Sequence, residues 1–116
     1  MALSIPRLEK TVNGGHRVVV NDQPFLVLGA ELQNSSMTSA AYMRNVWPNL
    51  KAMHINTVLG CIAWEMIEPE EGHFDFSELD KIIHQAREYD MHLILLWFGS
   101  FKNGWLQVNC GYNEHC

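Results

Sequence analysis

The chain has 116 residues, which is within the usual size of one domain. Apolar residues make up 47% of it and charged residues 18%, a balance that predicts a packed core rather than disorder. The formal net charge is −5 at pH 7, and there is no basic run or basic helix face. Nucleic acids and anionic membranes are therefore not expected as partners.

The sequence indicates neither a membrane span nor a metal site. The longest apolar run, residues 93–98, is far shorter than the roughly 20 residues that a span needs. The first ten residues, MALSIPRLEK, lack the apolar centre of a signal peptide, so we expect a cytoplasmic protein. The cysteines at 61, 110 and 116 have no metal-ligand spacing, and no metal or cofactor is predicted. Cys61 lies in an apolar run and is predicted to be buried.

The first predicted structure is a short β-hairpin. Residues 17–20 and 25–28 are rich in β-forming side chains, and the NDQP segment between them is rich in turn formers. Residues 1–16 are interpreted as an N-terminal arm. The second β segment, around Phe25, is predicted to be a buried strand that opens the main sheet.

An amphipathic helix is predicted after the hairpin. Thr38 or Ser39 can cap its start. Pro48 lacks a backbone N–H, so we expect either a kink or two short helices with Pro48 in the first turn of the second. The apolar side chains recur at spacings of three and one, as on one face of an α-helix. They are Met43, Val46, Trp47, Leu50 and Met53.

The same pattern is then repeated. The run NTVLGCIAW predicts a strand, and FSELDKIIHQAREYD carries the same apolar spacing as the first helix. Asp75 or Ser77 can cap this second helix, and Glu78 is placed for a capping box with Asp75. The run MHLILLWFG is too continuously apolar for a strand with one solvated face.

Alternating strands and helices with fully apolar strands predict an α/β fold with parallel strands covered by helices. The doubly wound sheet and the (β/α)8 barrel both use this unit. The segment GAELQNSS has one glycine and places Glu31 where a phosphate would lie, which favours the barrel. We therefore predict a partial TIM barrel, made of the first three parallel strands and two helices and preceded by the hairpin. Its two outer strands would have open edges, which predict self-association.

Functional residues of such barrels lie in the loops that follow the strands. Carboxylates and amides near aromatic faces suit a sugar, since sugar rings stack on aromatic side chains and sugar hydroxyls need acceptors and donors. Trp97 or Phe98 offers an aromatic face, whereas Glu68, Glu70 and Glu71 are interpreted as a solvated loop surface. The predicted substrate-binding residues are Glu31, Trp64, Glu65, Lys102 and Asn103.

The segment from NTV through WEMIEPEEGHFDF to HLILLWFG resembles the start of the catalytic barrel in β-galactosidases of glycoside hydrolase families 42 and 35. GAELQNSS and WPNLKAMHINTV fit the same region. We assign residues 17–105 to a partial barrel domain. The tail, residues 106–116, has no periodicity and is interpreted as an irregular and non-native end.

The resemblance implies a retaining glycosidase that acts on terminal β-galactosyl groups in carbohydrate metabolism. In such enzymes one carboxylic acid protonates the leaving oxygen and a second carboxylate is the nucleophile. The resemblance places these two residues after the fourth and seventh strands, so no catalytic residue is assigned here. We therefore expect an inactive fragment whose partner is a galactoside or related oligosaccharide. A non-catalytic carbohydrate-binding or protein-interaction module is the alternative.

Overall fold

The structure, a computed structural model, describes residues 4–98, which form two three-stranded sheets and their helices. The antiparallel sheet consists of β1 (Arg7–Lys10), β2 (His16–Val20) and β3 (Gln23–Phe25). The parallel sheet consists of β4 (Gly29–Glu31), β5 (Thr57–Ala63) and β6 (His92–Phe98). A 3-10 helix (Ser36–Thr38) and the helices α1 (Ala40–Ala52), α2 (Trp64–Ile67) and α3 (Ser77–Glu88) connect the parallel strands.

The predicted hairpin is present as β2 and β3, and β1, which lies within the predicted arm, adds a third strand to it. The strand predicted for residues 25–28 is wrong, because β3 ends at Phe25 and the parallel sheet begins at Gly29. The side chain of Asn56 explains the interruption. Its Oδ1 accepts the backbone N–H of Leu28 at 2.9 Å and its Nδ2 donates to the carbonyl of Leu26 at 2.8 Å. These bonds take the place of a strand ladder.

The three strands of the second sheet are parallel neighbours in the order β4, β5, β6. The apolar runs predict β5 and β6, whereas β4 takes the place of the strand predicted at residues 25–28. Ala30 pairs with Val58, which pairs in turn with Leu93. Because side chains alternate between faces and paired residues share a face, these three lie on one side of the sheet. That side packs against α1 and α3. The opposite face carries Glu31 and the other members of its register row.

Buried apolar side chains from both long helices fill the space above Val58. Cys61 is 2% exposed, which confirms that it is buried. In residues 4–98 no helix combines the length and the apolar character that crossing a bilayer requires. The buried members of the core are Met37, Ala40, Met43, Trp47, Leu50, Val58, Ile82, Ala86 and Met91.

The first helix begins where the sequence predicts, since the Ser39 side chain accepts the backbone N–H of Tyr42 at 3.2 Å. The alternative of two short helices is wrong, because α1 is one helix with Pro48 inside it. Pro48 is exposed, while Trp47 and Leu50 are buried. Burial of this apolar stripe stabilises the helix against the loss of one backbone hydrogen bond.

The predicted capping box of the second helix is wrong. Phe76 is the N-cap of α3, and Asp75 accepts the N–H of Ser77 at 2.8 Å. Glu78 instead accepts the backbone N–H of Ala40, the first residue of α1, at 3.0 Å. It also accepts a hydrogen bond from Lys81 at 2.6 Å. The carboxylate that was predicted to cap its own helix therefore caps the neighbouring one.

Both long helices end in the same hydrogen-bonded motif. After α1, the N–H of His54 bonds to the carbonyl of Lys51, and the next N–H bonds to the carbonyl of Leu50. After α3, Asp90 and the residue that follows it make the equivalent two bonds. His54 and Asp90 have φ values of 58° and 62°, the left-handed conformation that this Schellman motif requires. Each motif turns the chain directly into the next parallel strand.

A buried polar link joins the two helices. Nε1 of Trp47 donates to Oε1 of Gln85 at 2.9 Å, and Nε2 of Gln85 donates to the carbonyl of Ala40 at 3.1 Å. Trp47 is fully buried and Gln85 is 3% exposed. Because water does not reach these groups, each depends on the other for its hydrogen bond.

We expect Gln85→Leu to lower the free energy of unfolding by about 1–3 kcal/mol, since it leaves the Trp47 N–H and the Ala40 carbonyl without their partner. Urea unfolding followed by circular dichroism measures this loss. His84→Leu, an exposed position on the same helix, is the control and is expected to change little. Equal losses in the two variants would contradict the role of the link.

A second prediction concerns the close contact of Gly60 with Met37. A Cβ atom built on Gly60 would lie 1.7 Å from Sδ of Met37, which is fully buried. We expect Gly60→Ala to destabilise the fold by about 1–3 kcal/mol through overpacking. In the double variant with Met37→Ala the added methyl group has room, so the two losses should be less than additive in a double-mutant cycle. Strict additivity would show that this contact is not the cause.

Candidate functional site

Glu31 ends its own strand, as the sequence predicts, but it lies well short of the carboxyl end of the neighbouring strand β5. Glu31 is the last residue of β4, is exposed, and pairs with Leu59. Because β5 continues to Ala63, the end of β4 falls roughly 13 Å short of the end of β5, at ~3.3 Å per residue. The N–H of Leu32 bonds to the carbonyl of Leu59 at 2.9 Å and extends the pairing by one step. Glu31 is thus placed beside the middle of β5.

Trp64 and Glu65 follow β5 directly, but they open the short helix α2 rather than a loop. The Trp64 side chain is 44% exposed. Glu65 is half-buried, and its Oε2 atom has less than 1 Å² of accessible surface. The predicted acidic site residue is therefore partly enclosed by protein, while its aromatic neighbour faces solvent.

The structure brings Trp64 together with Trp97. Their ring centroids are 6.2 Å apart and the ring planes are tilted by 54°. Trp97 pairs with Ile62, so it lies on the face of the sheet that packs against the helices. Glu31 lies on the opposite face. The structure thus separates the predicted residues into an aromatic pair on one side and a carboxylate on the other.

Asn34 is a polar residue that is not among the predicted site residues. Its Oδ1 lies 3.8 Å from Sγ of Cys61, with the thiol as donor. Cys61 lies two residues after Leu59 and therefore on the same face as Glu31. The only sequence signal was the polar character of the QNSS segment after β4. A carboxylate and an amide on one face offer acceptors and a donor to hydroxyl groups.

The prediction that Glu68 is a solvated loop carboxylate is wrong. Glu68 is half-buried, its Oε1 accepts the N–H of Gly72 at 2.8 Å, and its Oε2 accepts the indole N–H of Trp64 at 2.5 Å. These donors favour the charged form, with the Gly72 bond the larger cause, and lower the pKa of Glu68 below its ordinary value. Glu70 and Glu71 are exposed, as predicted.

The predicted donors Lys102 and Asn103 lie outside the described residues. Phe98 is the last residue of β6. Within residues 4–98 no group of three or more His, Cys, Asp or Glu side chains is arranged to hold a metal ion.

Comparison with known proteins identifies the family. Residues 34–100 match the family model of glycoside hydrolase family 42, described as beta-galactosidase. The chain belongs to this family. The match confirms the resemblance that the WEMIEPEEGHFDF segment indicates. It spans the segment from Asn34 through Glu68 to β6, whereas Glu31 lies just before it and Lys102 just after it.

Two curated relatives carry beta-galactosidase names. The chain is 35% identical over 69 residues to beta-galactosidase Pbg of Clostridium perfringens, an alignment that covers 55% of this chain and 10% of the relative. It is 31% identical over 90 residues to beta-galactosidase-1-like protein 3 of Homo sapiens, covering 75% of this chain and 14% of the relative. The chain thus spans 10% and 14% of the lengths of these two relatives.

The lowered pKa of Glu68 generates a pH prediction. A depressed folded-state pKa means that the bonds to Gly72 and Trp64 stabilise the fold fully above the ordinary value of 4.5 and are lost as pH falls through the lower folded pKa. We expect the free energy of unfolding to fall more steeply with acid in the wild-type chain than in Glu68→Gln. Urea unfolding at a series of pH values measures the difference.

Comparing the two chains removes the contributions of Glu9, Asp75 and Glu78, whose pKa values are also lowered and which are present in both. Glu71→Gln removes an exposed carboxylate from the same loop and serves as the matched control. Parallel pH profiles for wild type and Glu68→Gln would show that the carboxylate contributes nothing through these bonds.

Proposed function

We propose that this chain forms the beginning of a (β/α)8 barrel and belongs to an enzyme that hydrolyses β-galactosides. The observation that carries the proposal is the coincidence of the family match at residues 34–100 with the parallel unit β4–α1–β5–α3–β6. Parallel strands with the intervening helices on one face are the repeating unit of that barrel. The two curated relatives that align with this chain both have beta-galactosidase in their names.

The proposed substrate contacts are those at or beyond the carboxyl ends of the strands. Glu31 and Asn34 supply polar groups on the face opposite the helices, which is the inner face in a barrel. Trp64 and Glu65 follow β5, and Trp64 has an accessible ring surface. Lys102 and Asn103 complete the set as predicted donors. We assign these groups to two separate contacts: sugar hydroxyls bond to Glu31 and Asn34 on the inner face, and the apolar side of a sugar ring stacks on the Trp64 indole at the end of β5.

We further propose that the 116-residue chain alone does not turn over its substrate. A retaining glycosidase needs two carboxyl groups about 5 Å apart. Glu31 stands at the level of Leu59, whereas Glu65 lies beyond Ala63, roughly 13 Å further along the strand direction at ~3.3 Å per residue. Glu31 is exposed and Glu65 is partly enclosed on α2. This arrangement does not resemble a facing catalytic pair.

The experiment is hydrolysis of a chromogenic β-galactoside by the purified chain. We expect no release of chromophore above the uncatalysed rate, because Glu31 and Glu65, the predicted site carboxylates within residues 4–98, do not form a facing pair. The beta-galactosidase of Clostridium perfringens, assayed in parallel, shows that the substrate and conditions are suitable. Turnover by the chain that disappears in Glu31→Gln or Glu65→Gln would contradict the proposal and assign the chemistry to this part of the barrel.

A non-catalytic binding or interaction module is the second candidate. The observation that favours it is the apolar surface of β6, where Ile94, Leu95 and Trp97 are 43%, 42% and 57% exposed. Such a strand can pair with another chain. Sizing chromatography over a range of protein concentrations, with and without methyl β-galactoside, separates the candidates. A single monomer peak at all concentrations, together with binding of the sugar, supports a module. Association that increases with protein concentration and does not change with the sugar supports an open barrel edge.

A further inference from the structure

Glu68 occupies the centre of a compact segment that follows β5. Its two carboxylate oxygens accept hydrogen bonds from residues on opposite sides of it in the sequence. Oε2 accepts the indole N–H of Trp64, and Oε1 accepts the backbone N–H of Gly72. The backbone N–H of Glu68 also donates to the carbonyl of Trp64 at 2.8 Å. One side chain thus links the start of α2 to the turn that follows it.

The chemistry of this link requires a carboxylate. An ionised carboxylate only accepts hydrogen bonds and has an oxygen for each donor, whereas an amide has one oxygen and one NH2 group. A glutamine at this position would therefore keep one bond and direct its NH2 group at the other donor. Gly72 has φ of 79°, which favours glycine, and Pro69 restricts the backbone next to Glu68. The segment WEMIEPEEG is consistent with this geometry at each of these positions.

The link fixes an aromatic ring. Trp64 is half-exposed, so packing alone leaves its indole with freedom to move, and the bond to Glu68 removes part of that freedom. The same ring lies 6.2 Å from Trp97. The orientation of Trp64 at the end of β5 is therefore set by a carboxylate on one edge and a second indole on one side.

We propose that Glu68 is a positioning residue that holds the indole of Trp64 in place for contact with a β-galactoside. This inference rests on the proposed function for the identity of the ligand. Both oxygens of Glu68 accept hydrogen bonds from protein donors, so we assign it the positioning of the ring and assign the contact with the sugar to Trp64. Its removal therefore acts through the position of Trp64.

The first experiment reads the position of the ring without any ligand. Two indoles at this distance and a tilt of 54° couple their excited states and produce a couplet in the far-ultraviolet circular dichroism. Trp97→Phe assigns the couplet by removing it. We expect Glu68→Ala to lose most of the couplet and Glu68→Gln to lose part of it. Glu71→Ala, which removes an exposed carboxylate from the same loop, should keep it in full.

The second experiment measures binding of methyl β-D-galactopyranoside by tryptophan fluorescence. We expect Glu68→Ala and Trp64→Phe each to weaken binding about tenfold, the cost of losing one hydrogen bond to a charged group or its equivalent in ring contact. Glu71→Ala should bind as the wild type does. Weaker binding in the double variant than in either single variant would mean that the two residues act independently, which would contradict the proposal.

The outcomes separate this inference from the proposed function. If the couplet depends on Glu68 but the chain binds no galactoside, Glu68 positions the Trp64 ring, and the proposed role of that ring in sugar binding is overturned. If the wild-type chain shows no couplet, or if Glu68→Ala keeps the full couplet, the proposal that Glu68 positions the Trp64 ring is overturned. If Glu68→Ala does not fold, Glu68→Gln decides, because it has the same shape; an undiminished couplet in that variant overturns the proposal.

Discussion

The architecture depends on the buried hydrogen bonds of Gln85. This one side chain joins the indole of Trp47 on α1 to the backbone carbonyl of Ala40, and it does so from α3. Glu78 adds a second connection from the same helix to the N–H of Ala40. The beginning of α1 is thus fixed through both its backbone donor and its backbone acceptor. Because these groups are buried or partly buried, the two helices have one well-satisfied relative position over the sheet.

The candidate site is a consequence of that helix position. One face of the sheet is covered by α1 and α3, the segment after β4 passes beside β5, and the segment after β5 lies beyond the carboxyl end of its strand. Asn34 reaches Cys61 across one of these segments, and Glu68 reaches Trp64 within the other. The two contacts lie on different sides of the sheet. The region therefore contains a polar face and a separate aromatic edge, each defined by a specific side-chain contact.

The sequence predicted what depends on periodicity and missed what depends on a single long-range partner. Apolar spacing located both long helices and the parallel strands β5 and β6, since burial of whole stripes determines them. The hydrogen-bond partner of Glu78 could not be predicted from the local sequence, because it is the backbone N–H of Ala40 on another helix. Likewise Asn56 replaces strand pairing at Leu26 and Leu28 from a distant position. Glu68 was misjudged because its charge suggested solvent, whereas its oxygens face two protein donors.

The two Schellman motifs have a consequence for how a fold of this type can be lengthened. Each helix carries its own stop signal, a left-handed residue at His54 or Asp90, and the chain passes from that signal straight into a strand. The two backbone hydrogen bonds that define each motif are made within its own helix end, and Lys51 of the first junction also lies 3.9 Å from the Asp90 carboxylate of the second. A duplicated strand–helix unit would therefore bring its own helix-to-strand turn with it. Extending the sheet by further units would require new packing contacts but no new type of turn.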